Sequence, residues 1–244
     1  MSDKKLHTLL IKEGRKKISV LIDPDKHTKD SLVHLIRLSE EAGVDFFLIG
    51  GSLLQSSIEE TIDKVKAKTT IPIILFPGNL LQLSPNADGM LLLSLISGRN
   101  PDLLIGNHVI AAPVIRKAKI FTIPTGYILV DTGKTTSVEY MSNTKAIPSD
   151  KPDIAVATAM AGEMLGLKVI YLDAGSGAHQ PVPEKMVEMV RQNISIPLIV
   201  GGGIKTRDQV ERLCSAGADI IVVGNYLEEN ANKIKEFAEV VQQF

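Results

Sequence analysis

The sequence has one cysteine, no tryptophan and few aromatic residues, 4% of 244 positions. The single thiol, Cys214, cannot form an internal disulfide, and no Cys/His group has zinc-finger spacing. So few rings exclude the stacking platforms that grip single-stranded nucleic acid. Neither charge is in excess: 27 Lys and Arg face 28 Asp and Glu, whereas a protein that coats nucleic acid carries a basic surplus. The longest apolar stretch, 89–96, is far below the ~18 residues of a membrane span. Met1-Ser2-Asp3-Lys4-Lys5 leads into a mixed segment with no apolar core and no small-residue cleavage site. A cytoplasmic protein is expected, and Asn193-Ile194-Ser195 is then an accidental glycosylation sequon.

Several catalytic signatures are also missing. Gly133-Lys134-Thr135 ends like a P-loop, but Ile128 stands where its first glycine belongs. Gly175-Ser176-Gly177 begins like a dinucleotide fingerprint that fails at Gln180. No Gly-x-Ser-x-Gly elbow is found, which argues against acyl-enzyme chemistry. His7, His27, His34, His108 and His179 lack metal-ligand spacing and read as surface or packing residues. Cys214 lies in an amphipathic segment and reads as core.

What the chain does have is a beat. Hydrophobic residues make up 44%, and short apolar runs fall at 18–22, 45–49, 71–76, 89–93, 126–130, 168–172, 196–200 and 219–223. Runs without alternation suit parallel strands buried on both faces. Between most of them lie segments of helical period: Leu32, Leu35, Ile36 and Leu38 share one side of 31–42, and Met186, Val187 and Val190 one side of 184–192. Ala42-Gly43-Val44-Asp45 and Ala216-Gly217-Ala218-Asp219 echo one another before two of the runs. Eight strands alternating with helices in one chain of this length predict a single (β/α)₈ barrel over 1–244, with an open doubly wound sheet as the alternative. Two intervals break the pattern. The stretch 77–88, with Pro77, Gly78 and Pro85, is too short and broken for a crossover helix, so the third helix is expected to be missing. The stretch 131–152 is long and polar, either a surface loop or a lid. A missing helix leaves a gap in the outer wall that could admit something long and apolar, lined by Leu80, Leu81, Leu83, Leu91 and Leu93.

Chemistry in such a barrel sits at the strand C-termini, and phosphate is often held by the last loops. Gly201-Gly202-Gly203-Ile204 follows the seventh run, Gly224-Asn225 the eighth, and Tyr171-Leu172-Asp173-Ala174-Gly175-Ser176-Gly177 closes the sixth. Glycines let main-chain amides approach an anion closely. Thr206 is placed to cap the helix that follows. One such loop is as easily a tight turn; three on one rim point to a phosphorylated small molecule. The first run ends in Asp23-Pro24-Asp25-Lys26, either a hard-cation and polyphosphate site or a turn whose aspartate caps the next helix. Ser52 closes the second run on the same mouth, and Asp173 is a candidate base or hydroxyl ligand.

Taken in order, Leu21-Ile22-Asp23-Pro24-Asp25-Lys26, Ile49-Gly50-Gly51-Ser52, Gly126-Tyr127, Tyr171 to Ala178, Val200 to Ile204 and Val223-Gly224-Asn225 resemble the geranylgeranylglyceryl phosphate synthase family. That family includes the bacterial heptaprenylglyceryl phosphate synthases, and the likeness spans nearly the whole chain. The resemblance implies a modified TIM barrel without its third helix. It implies a Mg²⁺-dependent prenyltransferase that joins sn-glycerol 1-phosphate to a prenyl diphosphate, giving an ether-lipid precursor. A geranylgeranyl donor is expected, with heptaprenyl as the alternative. Asp23 and Ser52 match the family's magnesium positions, and Asp23 and Asp173 are the expected catalytic pair. Tyr171, Leu172, Asp173, Ala174, Gly175, Ser176, Gly177, Gly202, Gly203, Gly224 and Asn225 match its glycerol phosphate site. Tyr127, expected at the end of the loop before the fifth strand, matches a prenyl-pocket tyrosine. Two departures stand out: Leu21 occupies a position where many members have a phosphate-contacting lysine, and Asp173 replaces the glutamate of the best-known members. A homo-oligomer and peripheral membrane contact are further expectations, with no nucleic-acid partner. The rival readings are another phosphate-binding barrel, such as an isomerase, lyase or flavin enzyme, and a non-catalytic scaffold.

Overall fold

The computed structural model describes Leu10 and residues 14–244; His7 and the segment from Met1 to Lys5 lie outside the described residues. Eight parallel strands form the barrel: β1 (Lys17–Ile22), β2 (Phe46–Ile49), β3 (Ile73–Leu75), β4 (Gly89–Leu95), β5 (Thr122–Asp131), β6 (Val169–Asp173), β7 (Leu198–Gly201) and β8 (Ile220–Val223). Neighbours in sequence pair throughout, β1 pairs β8, and β4 pairs β5 from Met90↔Thr122 to Leu95↔Tyr127, so the sheet closes. The open-sheet alternative is excluded by that closure.

Helices α1 (Lys29–Ala42) and α2 (Ile58–Lys66) follow β1 and β2. No helix lies between β3 and β4, as expected from the prolines and glycine of that stretch. After β4 come a π-helical turn, Asp102–Gly106, and α3 (Asn107–Ala118). After β5 come α4 (Ser137–Ser142), a two-residue strand Ile147–Pro148 against the end of β5, and α5 (Pro152–Met164). The long polar stretch is therefore structured rather than a plain loop. Helices α6 (Glu184–Asn193), α7 (Arg207–Ser215), α8 (Asn225–Glu229) and α9 (Lys233–Val241) complete the chain. No helix among the described residues is long and apolar enough to cross a membrane.

Two apolar layers hold the fold. Alternate strand residues such as Phe46, Leu48, Ile74, Leu129 and Ile199 fill the barrel, while their neighbours meet the helices, where Leu32, Leu35, Ile36 and Leu38 of α1 are buried as the periodicity predicts. Cys214 is in that outer layer, and burial pushes its thiol up to about 11, so it packs rather than attacks. The internal echo has a physical origin at the lower rim. Asp45 accepts from the N–H of Ile18 at 3.0 Å and Asp219 from that of Leu198 at 2.8 Å; Asp88 does the same for Ile73 at 2.9 Å. Each carboxylate satisfies an amide at the start of the preceding strand, the first in two cases and the second in β1. Asp45 is paired with Arg15 and Asp219 with Arg191, which adds charge to both clasps.

The fifth strand begins at Thr122, four residues before the apolar run suggests, because Pro124 is tolerated there. Its carbonyl accepts from Lys168, and regular pairing with β6 starts one residue later, at Thr125↔Val169. Tyr127 is consequently the sixth residue of β5 and not part of a loop.

Candidate functional site

Two cavities share the C-terminal end of the barrel. The first is a polar cleft of about 680 Å³ lined by Leu21, Asp23, Lys26, Ser52, Tyr171, Asp173, the glycine loops at 175–177 and 202–203, Lys205, Gly224, Asn225 and Glu228. The second is an apolar slot of about 310 Å³ bounded by Leu80, Leu83, Met90, Leu92, Leu93, Leu95, Ala111, Ile115, Tyr127 and Met141. It runs along the wall where the third helix is missing, with α3 as its outer side. Cleft and slot meet at a common rim of Gly51, Ser52, Phe76 and Val138.

The rim is built by long-range clasps. Asp23 directly follows β1 and caps the short turn Pro24–Lys26, its Oδ1 accepting from the N–H of Asp25 at 3.0 Å. Capping and cleft-lining thus coexist in one side chain. Asp25 instead clasps the loop after β2, its two oxygens accepting from the N–H groups of Gln55 and Ser56, each at 2.8 Å. Gln82, buried in the helix-free stretch, donates to Gly51 O at 2.7 Å and accepts from Gly78 N at 3.0 Å. Together these two side chains fix the backbone that carries Ser52.

Asp173 lines the cleft and is tied to the slot through Tyr127. Its Oδ2 accepts from the Tyr127 hydroxyl at 2.6 Å and its Oδ1 from the N–H of Gly175 at 2.8 Å. Burial pushes its carboxyl up, opposed by these two hydrogen bonds. Burial, with Asp173's charge behind it, holds the Tyr127 phenol well above its usual range, so that hydroxyl stays a donor. Glycine is required beside this pair: a Cβ at Gly202, where φ is +81°, would lie 2.5 Å from Asp173 Oδ1. At Gly203, φ +69°, it would lie 2.2 Å from Gln180 O. Thr206 caps α7 in a full capping box with Gln209, as its position suggests. Ser176 donates to Asn225 Oδ1 at 2.8 Å, tying two glycine loops together.

Two expected residues face elsewhere. Leu172 and Ala174 are fully buried in the outer layer, because β6 alternates and sends Tyr171 and Asp173 inward. The N–H of Ala174 is also engaged, by Gly201 O at 3.0 Å. The expected slot lining is corrected in the same way: Leu81 is 88% exposed and Leu91 is sealed in the barrel interior, whereas Met90, Leu92 and Leu95 line the slot beside Leu80, Leu83 and Leu93. Leu21, at the departed lysine position, lines the cleft with its apolar side chain. Lys26 and Lys205 are the cations in the lining; Lys205, Glu228, Phe76 and Gln82 were not singled out from sequence, since each acquires its place only through tertiary contacts.

Glu228 is half-buried, and burial, then the nearby Asp23 charge, pushes its carboxyl up from 4.5 to about 7. The folded state therefore favours the protonated acid, and this contribution to stability is present below pH 4.5 and lost as pH rises toward 7. Discounted for solvent screening, the ionised form costs about 1–2 kcal/mol. In metal-free protein, Glu228→Gln is expected to raise Tm at pH 8 by about 3–6 °C and to leave it unchanged at pH 4. Thermal melts at the two pH values check this; an equal shift at both would contradict it.

No group of three His, Cys, Asp or Glu side chains among the described residues could hold a metal unaided. Asp23 and Ser52 supply one carboxylate and one hydroxyl, a set that suits a hard cation sharing phosphate oxygens.

Comparison with known proteins agrees with this geometry. The model of the PcrB family matches residues 11–241. A geranylgeranylglyceryl phosphate synthase of Spirosoma linguale is 49% identical over 95% of this chain and 93% of its own, and one of Korarchaeum cryptofilum is 41% identical over 94% of each. The solved (S)-3-O-geranylgeranylglyceryl phosphate synthase of Thermoplasma acidophilum, in complex with sn-glycerol-1-phosphate, superposes with a TM-score of 0.90 at 33% identity, covering 99% of this chain and 98% of that one. More distant barrels share the fold alone, such as a tryptophan synthase α-subunit of Pyrococcus furiosus at 13% identity and TM-score 0.59. The chain belongs to the PcrB family, among the geranylgeranylglyceryl phosphate synthases, and is an enzyme of the prenyltransferase class.

Proposed function

We propose that this enzyme joins sn-glycerol 1-phosphate to geranylgeranyl diphosphate, releasing diphosphate and a prenylglyceryl phosphate. The observation that carries the reading is the shared rim: a polar cleft and an apolar slot meet at Gly51, Ser52, Phe76 and Val138, as an amphipathic donor requires. The prenyl tail lies in the slot with its diphosphate at Asp23, Lys26 and Ser52. The acceptor's phosphate lies against the glycine loops at 175–177, 202–203 and 224–225, which expose main chain rather than side chains. The Thermoplasma acidophilum relative, solved with that acceptor, supports its choice.

Asp23 and Ser52 would hold Mg²⁺, which would supply positive charge to the diphosphate leaving group. The remaining work belongs to the chain. The loops orient the acceptor so that its free hydroxyl faces the allylic carbon, which lowers the entropic cost of attack. Asp173 accepts the hydroxyl proton, its carboxylate kept in place by Tyr127 and Gly175. Lys205, adjacent to Gly203 and Ile204, supplies cationic contact to the acceptor phosphate. Lys205→Ala is expected to raise KM for glycerol 1-phosphate about 10-fold, the scale of one charged hydrogen bond, with kcat little changed. Steady-state kinetics varying each substrate in turn check it.

The test of the reaction is transfer of labelled sn-glycerol 1-phosphate into organic-soluble product with geranylgeranyl diphosphate and Mg²⁺, against sn-glycerol 3-phosphate and a chelator as controls. Product from the 1-phosphate alone, lost on chelation, is expected. No product from folded protein with any prenyl donor would return the molecule to a phosphate-binding barrel of other chemistry.

A further inference from the structure

The donor's two halves fix where its reacting carbon must lie. Diphosphate belongs in the cleft and the tail in the slot, so the carbon between them sits at the shared rim. Of the four rim residues, Phe76 alone carries an aromatic ring. Tyr127 lines the slot and Tyr171 the cleft, while Phe76 lines both.

The ring is held firmly. Phe76 stacks on Tyr171 with centroids 5.4 Å apart and planes 29° apart, and meets Tyr127 at 5.8 Å and 69°. Tyr127 and Tyr171 meet edge to face at 5.5 Å, closing a three-ring cluster. Its main chain is equally fixed: the N–H donates to Ile49 O at 2.9 Å, and its carbonyl presses so closely on Gly50 that a Cβ there would lie 1.9 Å away.

Resting on the transfer reaction above, we propose that Phe76 is a catalytic residue whose π face stabilises positive charge developing on the allylic carbon. As the C–O bond to diphosphate breaks, its electron pair leaves with the diphosphate. The acceptor hydroxyl supplies the pair for the new C–O bond, and its proton passes to Asp173, so nothing is oxidised or reduced. A benzene ring attracts a cation through its quadrupole, and having no lone pair it does not capture it. It also excludes water, the competing nucleophile, from one side of the carbon.

The experiment replaces Phe76 with mono-, di- and trifluorophenylalanine, which keep the ring's shape while weakening its negative face. The readouts are the single-turnover transfer rate, the donor Kd and Tm. The logarithm of the rate is expected to fall steadily with fluorine number, reaching about 30-fold at three fluorines, with Kd and Tm unchanged. Phe76→Trp is expected to keep most of the rate, and Phe76→Leu to lose it by a comparable factor. A flat series would overturn the assignment and leave Phe76 as packing. If the wild type forms no product, the transfer reaction itself has failed, an outcome distinct from a flat series in an active enzyme.

Discussion

Replacing Asp23 by Ala is expected to lower kcat/KM for prenyl transfer by at least ~10³-fold in protein that keeps its fold. The loss follows from where the side chain sits. It is the carboxylate at the end of β1 that lines the cleft, next to Gly51, where a Cβ would come 3.2 Å from Asp23 Oδ2. Without it, the proposed cation loses its one carboxylate ligand, and Lys26 is left as the positive group facing the departing diphosphate. The structural cost is small, since what disappears is one cap on a three-residue turn, about 1 kcal/mol. Asp25 continues to clasp Gln55 and Ser56. Asp23→Asn separates the two roles, because the amide oxygen still caps but carries no charge. Both variants should melt within a few degrees of the wild type and both should be inactive. Activity within fivefold of wild type in either would contradict the metal role of Asp23.

The largest effect on stability is expected from Gly50→Ala. The added methyl group would stand 1.9 Å from Phe76 O and 2.7 Å from its carbonyl carbon. These are main-chain atoms in adjacent strand ends, so nothing flexible can yield. Either the β2–β3 pairing at Ile49↔Leu75 opens or the chain after Leu75 moves, and both disturb the rim. A cost of about 3–5 kcal/mol is expected, read as a Tm lower by ~10 °C or more, or as insoluble protein. As a control, Gly133→Ala concerns a glycine with nothing within 4 Å and should cost only its backbone preference at φ +90°, about 1 kcal/mol. Equal melting of the two variants would show that the close approach at Gly50 relaxes freely.

The barrel was legible because its strands are apolar runs bounded by Gly, Asp and Asn, and because helix faces such as Leu32, Leu35, Ile36 and Leu38 follow the 3.6 period. The missing helix was legible from Pro77, Gly78 and Pro85. Asp23, Ser52 and the glycine loops could be placed because strand ends announce one rim. Which leucines line the slot could not be read: Leu91, Leu92 and Leu93 are consecutive, and a run without alternation hides which residue faces where. Leu172 and Ala174 entered the expected phosphate site for a different reason: the resemblance covers 171–177 as one unbroken segment, whereas the structure buries these two side chains in the outer layer. Gln82 and Glu228 were invisible for another reason. One joins segments 31 residues apart, the other meets the Asp23 charge at the end of the neighbouring strand, and neither partner leaves a local pattern.

A substitution that fills the slot separates the work of the slot from that of the cleft. Ala111 of α3 is buried against the slot, well away from the glycine loops. Rates with donors from geranyl to heptaprenyl diphosphate, measured for the wild type and for Ala111→Trp, compare the two cavities in one experiment. The variant is expected to lose the longer donors, keep the shortest and leave KM for sn-glycerol 1-phosphate unchanged. An unaltered donor profile in a folded Ala111→Trp variant would contradict this, because the tail would then lie somewhere other than this slot.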